Sequence, residues 1–189
     1  MSNTSATGGY LLPEQSLVLD DDALDDFFQV VVVGISGLQA QLVRPRWQEN
    51  PPKQPDRKTT WAAVGVVRTD GEFDGYIRHD PEEPALDRGR DRVERYETLE
   101  ILTSFYGPQS QSTARMFRDG LSIPQNNEAF QLCGMGLADL GPLINTAGLV
   151  NQGWIRRVDF TFRIRRTVGR AYQVLNLKSL SFKLAKSGV

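Results

Sequence analysis

Hydrophobic and polar residues alternate most clearly in residues 154–166. One face of this segment carries Val158, Phe160, Phe162 and Ile164, and the other carries Arg157, Asp159, Thr161, Arg163 and Arg165. A period of two with aromatic and β-branched residues is typical of a strand with one buried face. Residues 96–106 show the same pattern, with Leu99, Ile101, Thr103 and Phe105 on one face. The two segments predict half-buried strands at the centre of the fold.

A different spacing, of three and four residues, predicts a helix that starts at the acidic run 20–22. Apolar residues follow at helical intervals: Leu24, Phe27, Phe28, Val31 and Ile35. Acidic side chains favour a helix start, where they can cap amides and meet the positive end of the helix dipole. Gly34 or Gly37 is expected to end this helix.

Two shorter helices are predicted between the central strands. Ser110 can cap the first, whose apolar stripe comprises Ala114, Phe117 and Leu121. Asn126 or Asn127 can cap the second, which carries Phe130, Leu132 and Cys133 and stops at Gly134.

The rest of the chain predicts shorter strands and loops. Strands are expected at residues 61–69, 73–79 and 172–184, with a turn at Asp70-Gly71 between the first two. Residues 137–152 predict a short strand and loops. The proline-rich segment 44–58 is expected to be an extended connection, and the charged segment 80–92 a mobile loop.

Together these elements predict an α+β fold in a single domain. A mostly antiparallel sheet of four or five strands should carry the helices packed on one face. The small and polar start of the chain lacks the apolar residues for a core of its own. Residues 1–19 are therefore predicted to be a flexible N-terminal arm that orders against a partner, and residues 20–189 to be the folded domain.

Composition is ordinary for a globular protein, but charge is unevenly distributed. The chain has 189 residues, of which 24% are charged and 40% hydrophobic, and its formal net charge is −1. Residues 1–36 contain six acidic residues and no Lys or Arg, whereas residues 154–189 contain six Arg and three Lys against one Asp. Two interpretations stay open: two solvated surfaces, or two surfaces that meet within or between subunits.

If these surfaces meet between subunits, particular residues are predicted to form the interface. They are Asp21, Asp25, Arg157, Arg163, Arg165, Tyr10, Leu11 and Leu12. The first two supply negative charge, the arginines project from one face of their strand, and the last three are the apolar part of the arm.

Residue types that carry catalysis are scarce. His79 is the one histidine and lies in a charged segment, and Cys133 is the one cysteine and lies in a predicted apolar helix. No spacing of His, Cys and carboxylates predicts a metal site, so no catalytic residue, metal or cofactor is expected. No apolar run is long enough to span a bilayer, no secretory signal is evident, and a single cysteine suits a reducing compartment.

Seven sequence blocks carry a resemblance to a known family. They are TGGYLLP (7–13), VRPRW (43–47), PPKQP (51–55), SFYGP (104–108), RDGLSIPQN (118–126), LVNQGWIRR (149–157) and LNL (175–177). In these blocks the chain resembles the neck (tail) terminator proteins of tailed bacteriophages. The blocks span nearly the whole chain, and those at 118–126 and 149–157 are the most specific.

The resemblance implies a structural virion protein with no enzyme activity. It implies a six-fold ring at the neck that terminates the tail tube and joins it to the head connector, with genomic DNA threading the lumen. The implied partners are further copies of the chain, a connector or head-completion protein, the tail tube protein and, where the tail has one, the sheath. The protein would be assembled in the cytoplasm of the bacterial host and would have no membrane partner.

Two alternatives remain open from the residues themselves. The chain could be another tail or baseplate structural protein with a similar sheet. It could also be a DNA-binding accessory protein, because the arginines between 156 and 170 could bind phosphate.

Overall fold

A computed structural model describes residues 3, 5–14, 18–83, 88–150 and 153–176. It confirms the predicted fold class: the chain is α+β, with a mostly antiparallel sheet. Within the described residues the sheet has six strands, one more than the upper end of the prediction. The described elements are α1 (Asp21–Ser36), a 3-10 turn (Ala40–Leu42), β1 (Val43–Pro45), β2 (Trp61–Gly71), β3 (Tyr76–Glu83), β4 (Arg88–Tyr106), α2 (Ser110–Leu121), α3 (Pro124–Leu132), β5 (Met135–Val150) and β6 (Gly153–Leu175).

The strands follow the order β1-β2-β4-β6-β5, and β3 pairs with β4. Only the pairing of β1 with β2 is recorded as parallel, whereas β2–β4, β3–β4 and β5–β6 are antiparallel. Side-chain contacts join Ser104 to Asp159, Glu100 to Arg163 and Glu97 to Arg166. In these three pairs the residue number increases along β6 while that of the partner on β4 decreases. The two central strands are therefore also antiparallel.

The chain forms two compact units, to which β4 and β6 both contribute. The larger unit comprises residues 18–72 and 96–167 and contains the hydrophobic core. The predicted inward faces of both central strands are confirmed, because all eight side chains are buried. Phe160 and Phe162 pack edge-to-face on Phe117 of α2, and Phe162 also packs on Phe28 of α1.

Helix α1 forms as predicted and ends at Gly37. This glycine has a φ of 67°, the left-handed conformation that glycine adopts without a steric penalty, and its N–H donates to the carbonyl of Val33. Asp20 occupies the N-cap position, and its carboxylate binds Arg166.

Both predicted caps of the shorter helices are wrong. Gln109 is the N-cap of α2, and Ser110 is the first helical residue. Ile123 precedes α3, in which Pro124 takes the first turn, where the missing N–H costs nothing. Asn126 and Asn127 instead donate from their side chains to the carbonyls of Gly120 and Leu121 at the end of α2.

Several strand predictions are too short. Residues 137–152 were expected to hold a short strand and loops, but β5 runs for 16 residues and is paired with β6 along most of its length. Asp70-Gly71 continues β2 instead of forming the turn. Residues 80–83 and 88–92 extend β3 and β4 instead of forming a loop. Val43–Pro45 forms a strand within the predicted proline-rich connection.

The smaller unit comprises residues 1–17, 73–95 and 168–189. Here β3 pairs with the first part of β4 from Tyr76 opposite Glu94 to Glu83 opposite Arg88. The predicted last strand is the continuation of β6 through Leu175, and its remainder at 177–184 lies outside the described residues. The predicted division into an arm at 1–19 and a domain at 20–189 stays a prediction.

Candidate interaction surfaces

The outer face of the larger unit's sheet is the face opposite the helices, and it carries the predicted interface arginines. Arg163 on β6 donates to the carboxylate of Glu100 on β4 at 3.2 Å. Arg165 donates to Glu72, just beyond β2, at 2.9 Å, and its guanidinium lies 4.8 Å from the ring centroid of Tyr96. Both arginines therefore pair with carboxylates of their own subunit.

At one end of this face, aromatic and arginine side chains are stacked in a row. Trp61 of β2 lies parallel to Tyr106 of β4, with 4.2 Å between ring centroids. Arg44 of β1 lies over Trp61, and Arg157 of β6 lies over Tyr106. Offset rings and cations over ring faces are favourable arrangements, so the row ties four strands together.

Arg157 is also held by hydrogen bonds. Its Nε donates to Asp159 at 2.8 Å, and the hydroxyl of Ser104 donates to the same carboxylate at 2.6 Å. Burial opposes the charged form of Arg157, but the bond to Asp159 and the fields of Tyr106 and Asp159 raise the pKa of its guanidinium overall. Arg157 is thus a fixed cation within the sheet.

Arg166 on β6 is the residue that sequence reasoning placed least well. Its neighbours Phe162 and Ile164 lie on the core face, and so does Arg166, which is 8% exposed. Its guanidinium donates to Asp20 at 2.8 Å, to Glu97 at 3.0 Å and to the carbonyl of Leu19. The even position of Arg166 in the alternating run was the signal that could have revealed this role. The group joins the start of α1 to β4 and β6.

The predicted acidic side of the interface is only partly exposed. Asp21 is exposed and has a φ of 51°, a left-handed conformation that Asp tolerates better than most residues. Asp25 is half-buried. Burial raises the pKa of its carboxyl, a hydrogen bond from the Val66 backbone lowers it, and the charges of Asp22 and Asp26 raise it further, so that the pKa lies above its usual value.

Within the smaller unit, the arm presents apolar side chains to solvent. Tyr10 is 93% exposed and Leu12 is 73% exposed, while Leu11 is half-buried. The N–H of Glu14 donates to the carbonyl of Ala171 on β6, and the hydroxyl of Ser5 accepts a bond from the N–H of Leu175. The arm is attached at two points and leaves Tyr10 and Leu12 uncovered.

The tip of the β5–β6 hairpin is a second uncovered apolar surface, which sequence reasoning missed. Leu149 lies opposite Trp154 in the register, and both are mostly exposed, as is Ile144 on β5. Alternation in residues 143–150 is weak because both faces are largely open. Asn, Thr, Ala and Gly at 145–148 resemble a loop composition, which explains the incorrect loop prediction.

His79 and Cys133 belong to different units of the chain. His79 lies on β3 of the smaller unit, between Asp91 at 2.7 Å and Asn176 at 2.9 Å. Cys133 is exposed at the end of α3. Among the described residues, no group of three or more His, Cys, Asp and Glu side chains could hold a metal ion. In the same part of the chain, each helix is too short or too polar to cross a bilayer.

Within the larger unit, the predicted interface residues lie on two surfaces. Arg157, Arg163 and Arg165 share the outer sheet face, where carboxylates of the same subunit neutralise them. Asp21 and Asp25 lie on α1, and the apolar arm belongs to the smaller unit.

Comparison with known proteins matches the chain to one family. The sequence model of a family described as phage neck terminator protein matches residues 22–186 of the 189-residue chain. A search of curated proteins finds no significant match.

Proposed function

Because the chain belongs to the phage neck terminator family, a family of structural virion neck proteins, we propose that it forms a ring that ends the tail tube. The ring would have six subunits and would join the tail to the head connector, with genomic DNA passing through its lumen. Its partners would be a connector or head-completion protein, the tail tube protein and, in a contractile tail, the sheath. Assembly would take place in the cytoplasm of the bacterial host.

The family match over residues 22–186 is the observation that carries this proposal. The uncovered apolar residues of the arm and of the β5–β6 hairpin support it, since exposed apolar groups of this kind often mark protein contacts. Glu100 and Glu72 offset the charges of Arg163 and Arg165, which weakens any attraction to DNA. Both arginine side chains are still about half exposed, so each can donate to a second carboxylate from another subunit.

The proposal is tested by the mass and shape of the purified protein. Mass by light scattering and class averages by negative-stain electron microscopy should give a closed ring, and labelled antibody should mark the neck of intact virions. A monomer at every concentration, together with label confined to the baseplate, would favour another tail protein instead.

Charge is proposed to guide the docking of subunits through Asp21 and Asp25 of one copy and Arg157, Arg163 and Arg165 of the next. Exposed ion pairs contribute only about 0.2–1 kcal/mol each and weaken as salt rises. Ring assembly should therefore slow at high salt without being abolished, as followed by light scattering over a salt series. Assembly that is equally fast at low and high salt would remove these residues from the docking surface.

A further inference from the structure

The outer edge of β5 is a long strand edge without a described partner. β5 ends the strand order β1-β2-β4-β6-β5, and its recorded pairing is with β6 alone. A strand edge presents N–H and C=O groups in a row, which can pair with another extended segment. Among the described residues, no backbone hydrogen bond from outside the sheet is recorded to this edge.

The same edge lacks most of the sequence features that normally prevent an exposed strand from pairing with another chain. No charged residue occurs between Leu140 and Val150. Pro142 and the register shift between Leu140 and Leu143 protect the first part of this stretch, but residues 143–150 contain neither proline nor charge. Ile144 and Leu149 are exposed along it. Charges, prolines and bulges are the usual protection of an exposed edge, so residues 143–150 are open to strand addition.

The arm offers a segment that fits this edge. Residues 10–14 belong to no helix or strand, and Leu11 and Leu12 make no recorded backbone hydrogen bond within the described chain. The contacts of Ser5 and Glu14 with β6 hold the arm on its own subunit at both ends of this segment. Before Glu14 the arm carries no charged side chain, so neither surface opposes the other electrostatically.

We propose that residues 10–13 of one subunit add as a short strand to the β5 edge, residues 143–150, of a second copy of the chain. The inference rests on the proposed ring and names its subunit contact. Backbone hydrogen bonds would pair Leu11 and Leu12 with this edge. Tyr10 and Leu12 share one face of an extended strand, and on that face they would cover Ile144. The contact joins two different surfaces, as a closed ring of more than two subunits requires.

Cross-linking between two single-cysteine proteins tests this contact directly. Cys133 is first replaced by Ser, and Leu12→Cys and Ile144→Cys are then introduced into separate full-length proteins. A short, flexible bismaleimide tolerates uncertainty in the strand register. After mixing, the two proteins should form a cross-linked dimer, whereas Leu12→Cys mixed with Met116→Cys should not. Met116 on α2 is a matched control because it is similarly exposed and apolar but belongs to no strand edge.

A charge on the edge provides the second measurement. Ile144→Lys should weaken self-association by at least about tenfold, and Met116→Lys should leave it unchanged. Circular dichroism and melting temperature establish that both variants are folded. If Ile144→Lys associates like the parent, or if Leu12→Cys reacts equally with Met116→Cys, the inference is wrong.

These experiments distinguish failure of the strand addition from failure of the proposed ring. Rings that form normally with Ile144→Lys would overturn the strand addition and leave the ring intact. Cross-linking at Ile144 in a protein that forms only open chains would support the strand addition and contradict the closed ring. A Leu12→Cys/Ile144→Cys double variant that cross-links only within one chain, at every concentration, would show that the arm docks on its own subunit and would overturn the contact between copies.

Discussion

The two units of the chain share the strands β4 and β6 but bury them to different extents. In the larger unit, three helices lie on one face of the sheet, and the core contains six fully buried phenylalanines. Among the described residues of the smaller unit, Val168 is the only buried large hydrophobic side chain, whereas Tyr10, Phe73, Tyr76 and Ile77 are mostly exposed. Sheets without a covered hydrophobic face are marginally stable, so the smaller unit is expected to be the less stable of the two.

Replacing one aromatic residue in each unit should give the largest difference between them. Phe162→Ala removes a fully buried ring that packs on Phe28 and Phe117 and should lower the free energy of unfolding by about 3–5 kcal/mol. Phe73→Ala removes a ring that is 96% exposed and should change it by less than about 0.5 kcal/mol. Urea unfolding followed by circular dichroism measures both. Equal losses would contradict the burial difference between the units.

Two adjacent arginines of the larger unit allow a comparison between a mostly buried ion pair and an exposed one. Arg166→Ala leaves Glu97 and Asp20 without their shared partner in a mostly buried site and should cost about 2–3 kcal/mol. Arg165→Ala breaks a pair whose side chains are both more than half exposed and should cost about 0.2–1 kcal/mol. Unfolding in urea at pH 7 separates the two values. If Arg165→Ala is the more costly, its position over Tyr96 contributes more than its exposure suggests.

The sequence predicted the larger unit well, because its signals are local and agree with one another. Alternation placed eight side chains of the two central strands in the core, and three-four spacing found α1 and α2, whereas α3 was predicted from the residues expected at its two ends. Both patterns arise because one face of the element is buried. This is true of a strand in a sheet covered on one side and of an amphipathic helix. The helix caps were less predictable because Asn126 and Asn127 bind carbonyls of the preceding helix, a contact that depends on how α2 and α3 meet.

The extent of the strands could not be predicted in the same way. β3 and the end of β5 are largely open on both faces, and residues 90–94 in the first part of β4 are half-buried, so these segments show little alternation, and Asp80-Pro81 resembles a loop. Backbone pairing with a neighbouring strand, which leaves little trace in side-chain pattern, extends them. The interface residues stay a prediction for a related reason: nothing in one subunit's sequence shows which exposed residues a second subunit covers.

The smallest expected effect lies in the smaller unit and concerns the protonation of His79. Hydrogen bonds to Asp91 and Asn176 raise the pKa of the imidazole above its usual value of 6.5, and the charges of Asp91 and Asp80 act in the same direction. NMR titration of the single histidine measures this pKa without ambiguity of assignment. Asp91→Asn should lower the pKa most, since the bond to Asp91 is the largest cause.

Gly89→Ala should also lower the pKa of His79. A Cβ at Gly89 would overlap the side chains of Asn176 and His79, so the substitution should displace the imidazole and disturb its hydrogen bonds. Because the folded state holds the proton more tightly than the unfolded state, the stability gained from protonated His79 is complete below pH 6.5 and is lost as pH rises through the folded pKa. Hydrogen exchange of the β3–β4 amides should therefore quicken across that interval, beyond the intrinsic pH effect, in the parent and less so in Gly89→Ala. A parent pKa at or below 6.5 would mean that the His79 contacts do not persist in solution, and that even the paired residues of this unit need a partner to hold them.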